Sequence, residues 1–239
     1  MSLMPTFVLV HGAWHGGWCW RDVATRLSAA GHEVFTPTLS GLGERAHLAK
    51  WPIDLATHIF DIENVIAFEE LEDVRLVGHS YGGIVISGVA ERIASRIKHL
   101  VYLDAIVPVD GKRHIDMVPP RPGGSFEQVR KAGTDLDALP VGSMEFLGVT
   151  DPEKVAWLKR HLVPHPMGTL LAPSELPQDR AATLPRTFIY CTERQGKSFS
   201  PFALAAKDDP SWSYRELATA HDAMVTAPAE LTELLLEVA

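Results

Sequence analysis

Cysteine is scarce in this chain of 239 residues: Cys19 and Cys191 are the only two. Two thiols far apart, in a chain without an export signal, read as buried thiols and not as a disulfide framework. Basic residues are outnumbered, and the net charge of −8 argues against nucleic acid or an anionic membrane as partner. Apolar runs are all short, which excludes a membrane-spanning helix. The first residues, Met1-Ser2-Leu3-Met4-Pro5, carry no basic start and no signal-type apolar stretch, so a cytoplasmic protein is expected. Repeats and low-complexity tracts are absent. What remains is an apolar fraction of 46%, which suits one domain with a filled core.

Strand-like and helix-like runs alternate through the first half. Phe7-Val8-Leu9-Val10 is a run of β-formers that stops at His11-Gly12. Trp18, Trp20, Val23, Leu27 and Ala30 recur at helical spacing before Gly31. Glu33 to Pro37 predicts the next strand. Asp54 to Leu71 predicts a helix, with Leu55, Ile59, Ile62, Ile66 and Phe68 on its apolar face. Further strands are expected at Val74–Val77, His99–Asp104, Thr187–Cys191 and Trp212–Leu217, and helices at Ile84–Ile97 and Ala229–Val238. Alternation of this kind marks a parallel sheet covered by helices, an α/β fold. From Pro108 to about Pro185 the rhythm breaks into Pro- and Gly-rich sequence, with helical patches near Glu127–Lys131 and Pro152–Leu162. That is too long for a plain loop. The expected organisation is a core of residues 1–107 and 186–239, with 108–185 inserted as a lid.

The chemistry centres on Gly78-His79-Ser80-Tyr81-Gly82. An apolar strand runs into this G-x-S-x-G pattern and a helix leaves it, the context in which the serine projects from a sharp, strained turn at the C-terminal edge of the sheet. Gly78 and Gly82 let the neighbouring chain pass where a Cβ would obstruct it. A serine nucleophile needs a base. Among eleven histidines, position selects His221, in the loop after the last strand and on the same rim as Ser80. His79 should turn from that rim and pack as a buried polar residue. Oxyanion donors in such a turn are the backbone N–H of Tyr81 and one from the loop after the first strand, for which Ala13 is the choice.

Other patterns carry less. His11/His15 and His161/His165 are spaced four apart, but neither has the Glu of H-E-x-x-H and Pro164 interrupts the second. No metal and no cofactor are expected. Gly41-Leu42-Gly43-Glu44-Arg45-Ala46 fits G-x-G-x-x-A formally, but Pro37 and Pro52 bracket it with loop, which predicts a turn and not a dinucleotide site.

The chain resembles the α/β-hydrolase fold. More narrowly, His11-Gly12-Ala13-Trp14-His15-Gly16-Gly17-Trp18, Gly78-His79-Ser80-Tyr81-Gly82-Gly83 and His221-Asp222-Ala223-Met224 are similar to the plant methylesterase and hydroxynitrile lyase family. They also resemble its bacterial relatives, which include pyrethroid- and carbamate-ester hydrolases. Thr36 to Arg45 looks like that bacterial branch. The resemblance implies Ser80 as nucleophile, His221 as base, and the amides of Ala13 and Tyr81 as oxyanion donors. The lyase branch uses a threonine after the first motif histidine and a lysine after the catalytic one. Gly12 and Asp222 stand there instead, which favours ester hydrolysis. Family members usually carry the triad aspartate in a Cys-Thr-Glu-Asp run, but this chain reads Cys191-Thr192-Glu193-Arg194. The acid is therefore expected at Asp104, with Glu193 as the alternative and a Ser–His dyad as the third arrangement.

The expected function is a serine carboxylic-ester hydrolase acting on small to medium apolar or aromatic esters. A carbon–carbon lyase or a non-catalytic ligand-binding homologue is the alternative. Gly12, Trp14, His15 and Trp157 are the expected substrate contacts, and Met144, Phe146 and Leu162 further candidate linings. A homodimer is the expected assembly.

Overall fold

The structure is a computed structural model that describes residues 4–118, 137–193 and 199–239. In chain order, β1 (Thr6–Val10) leads through a 3-10 turn into α1 (Arg21–Ala29), then β2 (Glu33–Phe35), α2 (Leu55–Phe68), β3 (Val74–His79), α3 (Gly82–Ile93) and β4 (Ile97–Leu103). A stretch of short elements follows: α4 (His114–Met117), β5 (Ala138–Leu139), α5 (Met144–Leu147), α6 (Pro152–His161), β6 (His165–Pro166) and α7 (Gly168–Leu171). The regular pattern returns with β7 (Arg186–Cys191), α8 (Ser200–Asp208), β8 (Trp212–Leu217), α9 (Ala223–Thr226) and α10 (Pro228–Leu236). This is the α/β architecture the alternation predicts.

The six long strands form one sheet in the order β2-β1-β3-β4-β7-β8, and every pairing is parallel. Parallel strands are apolar on both faces because helices cover both; Phe7, Val8, Leu9 and Val10 of β1 are all fully buried. All C-terminal strand ends therefore share one edge. Ser80 follows β3, Asp104 follows β4, the His11–Trp14 loop follows β1, and His221 lies beyond β8.

Local sequence explains the boundaries. Asp54 caps α2 reciprocally with Thr57: its carboxylate accepts the Thr57 N–H at 2.9 Å. Pro152 starts α6 behind an Asp151 cap, and Gly148, at φ 73°, ends α5. One assigned core residue departs from expectation. Phe68, expected on the inner face of α2, is 85% exposed, and His58 is buried among Leu55, Ile62 and Ile66 instead. The helical phase from Leu55 places 58, 62 and 66 on one stripe and swings the last residue outward. α8 was not expected from the sequence, and the expected patch at Glu127–Lys131 lies outside the described residues.

The described residues between β4 and β7 pack over the C-terminal edge of the sheet. Val163 N–H donates to the Trp14 carbonyl at 3.1 Å, the Trp14 indole N–H to Leu139 at 3.3 Å, and Asp222 N–H to Leu147 at 3.2 Å. They are thus tied both to the loop after β1 and to the loop after β8. Among the described residues no helix is long and apolar enough to cross a membrane. Cys19 and Cys191 are buried free thiols.

The turn between β3 and α3 is packed by backbone. A Cβ on Gly78 would sit 2.6 Å from the Gly82 carbonyl oxygen, and one on Gly82 would sit 2.9 Å from that of Val10. Backbone atoms on both sides leave no flexible group to yield. Gly78→Ala is expected to lose about 2 kcal/mol or more of stability in urea unfolding; an unchanged midpoint and slope would contradict this packing.

Candidate active site

Ser80 has φ 54°, the left-handed region that a side chain rarely adopts. Asp104, at φ 39°, and Trp14, at φ 68°, are strained in the same way. Three such residues around one sheet edge cost on the order of 1–3 kcal/mol each, and strain of this kind collects at functional sites. The turns are laced together. Ser80 N–H donates to the Leu103 carbonyl at 3.2 Å, Asp104 N–H to Ile189 at 2.8 Å, and Ile106 N–H to the Ser80 carbonyl at 3.1 Å.

Three side chains then meet in a line. His221 Nε2 lies 3.0 Å from Ser80 Oγ, and His221 Nδ1 lies 2.6 Å from Asp104 Oδ2. A carboxylate only accepts, so Nδ1 carries the hydrogen and the bare Nε2 accepts the serine hydroxyl proton. Asp104 and His221 are buried, and Ser80 keeps 8% of its surface open. The imidazole is clamped on its faces: Phe199 stacks at 4.9 Å and 10°, and His79 lies at 4.6 Å. Phe146 meets it edge-on at 5.3 Å.

Of the two candidate acids, Asp104 is the one that reaches the imidazole. Glu193 is exposed, and its backbone N–H joins the Thr219 carbonyl at 3.0 Å. Arg194 lies outside the described residues.

Among the described residues, neither the Ala13 nor the Tyr81 amide N–H donates to a protein acceptor. The Gly12–Ala13 peptide is oriented by a neutral histidine. Leu39 N–H donates to His11 Nε2 at 3.1 Å, which leaves the hydrogen on Nδ1; that nitrogen donates to the Gly12 carbonyl at 2.8 Å. The Gly12–Ala13 peptide is therefore fixed, with its N–H on the opposite side. Burial drives His11 down to about 3, so it stays neutral. A second neutral histidine, His58, holds the Tyr81 side chain. Its Nε2–H donates to the Ser40 carbonyl at 2.9 Å and its Nδ1 accepts the Tyr81 hydroxyl at 3.0 Å. Burial likewise lowers His58 to about 4.

His79 does not stand aside from the rim. Its Nε2–H donates to the His221 carbonyl at 3.0 Å and holds the His221 loop; burial keeps it neutral. His15 is buried with both nitrogens occupied, Nδ1 at 2.7 Å from the Ala13 carbonyl and Nε2 at 3.1 Å from Asp222. It has no polar atom left for a substrate. Trp157 packs edge-on against Trp18 at 4.9 Å and faces a surface pocket of about 390 Å³ beside Cys19, Arg21 and Val225. Of these two expected substrate contacts, His15 is thus bonded to its own loop and to Asp222, and Trp157 packs on Trp18 and lines that pocket. Trp14 meets Phe146 at 5.9 Å, so these two rings form an aromatic wall that reaches the imidazole. His79, His221 and Asp222 have metal-like spacing, within 4.8 Å, but both nitrogens of His221 and one of His79 are already hydrogen-bonded. The Gly41–Gly43 turn enters a 3-10 helix, Gly43–Lys50, and not the long helix a dinucleotide site requires.

A serine at a strained strand–helix turn, with a histidine from beyond the last strand, defines the serine-hydrolase class of α/β fold. The chain belongs to the alpha/beta hydrolase family, whose sequence pattern matches residues 7–234. It is similar to a carbendazim hydrolyzing esterase of Nocardioides sp. (strain SG-4G), 42% identical across 97% of this chain and 98% of that protein. It is also similar to methylesterase 7 of Arabidopsis thaliana, 27% identical across 98% and 95% of the two chains. Among solved structures, an extracellular α/β-hydrolase from a Paenibacillus species superposes with a TM-score of 0.85 at 26% identity, covering 98% of this chain and 99% of that one.

Removing the acid should separate the candidates. Asp104→Ala is expected to lower kcat about ten-thousandfold on an activated ester, and Glu193→Ala less than about threefold. The reverse ranking would contradict the hydrogen-bonded line.

Proposed function

We propose that the protein is a serine carboxylic-ester hydrolase, with Ser80 as nucleophile, His221 as general base and acid, and Asp104 as the orienting carboxylate. The observation that carries this reading is the continuous line Asp104–His221–Ser80, with contacts of 2.6 and 3.0 Å. Esterase relatives that match nearly end to end support the same conclusion.

Ser80 Oγ attacks the ester carbonyl as its proton passes to His221 Nε2. The carbonyl oxygen becomes an oxyanion, received by the Ala13 and Tyr81 amides; each such donor is worth roughly a hundred- to a thousandfold in rate. Asp104 stabilises the imidazolium without taking its proton. His221 then protonates the departing alcohol oxygen as the carbon–oxygen bond breaks, leaving an acyl group on Ser80. Water gives a proton to His221, attacks the acyl carbon, and releases the acid while the proton returns to Oγ. The aromatic wall of Trp14 and Phe146 favours apolar or aromatic esters of small to medium size. We infer that residues 108–185 act as the lid, a reading supported by their bonds to both the Trp14 and Asp222 loops.

The lyase arrangement has an obstacle besides chemistry. A Cβ on Gly12 would lie 2.9 Å from His79 Nδ1 and 3.0 Å from Ser80 Cβ, so a threonine there would crowd the strut that holds the base.

A panel of p-nitrophenyl esters of rising chain length, with methyl salicylate, a pyrethroid and carbendazim added, tests the activity. Turnover of at least one ester is expected, with Ser80→Ala reducing kcat by about ten-thousandfold or more. Full activity in Ser80→Ala, or cyanide release from a cyanohydrin without ester cleavage, would overturn the assignment.

A further inference from the structure

Asp222 follows the proposed base in the chain, and its carboxylate is fully buried. It plays no part in the line from Asp104. Its Oδ2 meets His15 Nε2 at 3.1 Å, while Oδ1 has no hydrogen-bond partner among the described residues. His15 belongs to the loop after β1, and its Nδ1 faces the Ala13 carbonyl at 2.7 Å. A carbonyl only accepts, so Nδ1 carries a hydrogen. Nε2 then faces a carboxylate. Two hydrogens on the ring and none on Asp222 make an ion pair; one hydrogen on each makes a neutral pair.

We propose that His15 and Asp222 form a charged, buried ion pair that straps the oxyanion loop to the base's loop and offsets the Asp222 charge beside His221. The inference rests on the reading of His221 as base. His15 is raised although burial opposes it, because Asp222 outweighs that cost; Asp222 is lowered against burial because His15 holds it. The two directions agree.

Among the described residues, the side chains packed around the pair supply no other compensating charge. His79 is neutral and packs edge-on to His15 at 6.2 Å. The Cys19 thiol is pushed well up by burial and by Asp222, and so stays protonated. His11 is neutral on the same loop. Trp18 stacks on His15 at 5.5 Å, with His161 behind it at 5.1 Å. Asp104 acts on the opposite nitrogen of His221. A ring nitrogen of His79, one of His221 and a carboxylate oxygen of Asp222 lie within 4.8 Å of one another. An anion that close, if unbalanced, favours the protonated imidazole and disables it as a base. With His15 charged, the pair presents a dipole and not a net charge.

His15 is thus a positioning residue whose charge sets the working range of His221. The test is the pH profile of kcat/KM for a p-nitrophenyl ester. His15→Gln keeps an N–H toward Asp222 but removes the cation. Its acid limb is expected to move about one pH unit upward. Asp222→Asn should show no upward movement, and the double variant should return the limb toward the parent position. An unmoved limb in folded His15→Gln, or an equal rise in Asp222→Asn, would overturn the proposal. Should His15→Gln fail to fold, nitrogen-15 NMR of the unaltered protein decides. Both ring nitrogens of His15 are expected to be protonated at neutral pH, and a single bare nitrogen would overturn the pair. That spectrum is independent of turnover, whereas the esterase reading fails separately, by persistence of activity in Ser80→Ala.

Discussion

The left-handed turn at Ser80 is the constraint on which the rest depends. Strand β3 must end, reverse its backbone hand and enter α3 within about two residues. Only glycine packing allows it, because at Gly78 and Gly82 a Cβ would run into backbone carbonyls. The strain lifts Oγ clear of the sheet edge, and the bonds of Ser80 to Leu103 and Ile106 fix the turn against the end of β4. Asp104 is then carried to the same height, with its own backbone strained to φ 39°. The imidazole of His221 needs only to fall between the two.

Three buried histidines serve here as neutral struts. His11, His58 and His79 are buried, and burial holds each below its ordinary value. A neutral imidazole offers one donor and one acceptor at opposite ends of a rigid ring, which suits it to joining two loops. His11 ties Gly12 to Leu39, and His58 ties Tyr81 to Ser40. His79 ties β3 to the His221 loop. The Gly12–Ala13 peptide, whose amide is one proposed oxyanion donor, is therefore held by the His11 side chain, and such preorganisation is what makes a donor effective.

Much of this was legible in the amino-acid order. The six strands follow from short β-forming runs, and the parallel sheet from their alternation with helices. Ser80 follows from the glycine pattern in its strand–helix setting, and His221 from its position after the last strand. The proposed acid was harder, because Arg194 stands where the familiar aspartate would; Asp104, the first residue past β4, is the carboxylate that meets the imidazole. The struts were not legible. His58 sits on an apolar helical stripe with no signal of a partner 23 positions away. The His15–Asp222 contact spans 207 positions. The contact of Trp157 with Trp18 was hidden for a similar reason: an aromatic on an amphipathic helix does not announce its partner. Long-range pairing of single polar or aromatic residues leaves no periodic trace, whereas strands and amphipathic helices do.

The central claim is that turnover passes through an acyl group on Ser80. Rapid quenching during turnover of a p-nitrophenyl ester, followed by peptide mass analysis, tests it most directly. The account predicts a burst of about one nitrophenol per enzyme, with the acyl mass on the peptide that contains Ser80. Ester cleavage with no burst and no acylated Ser80 peptide, even where deacylation is slowed at low pH, would contradict it.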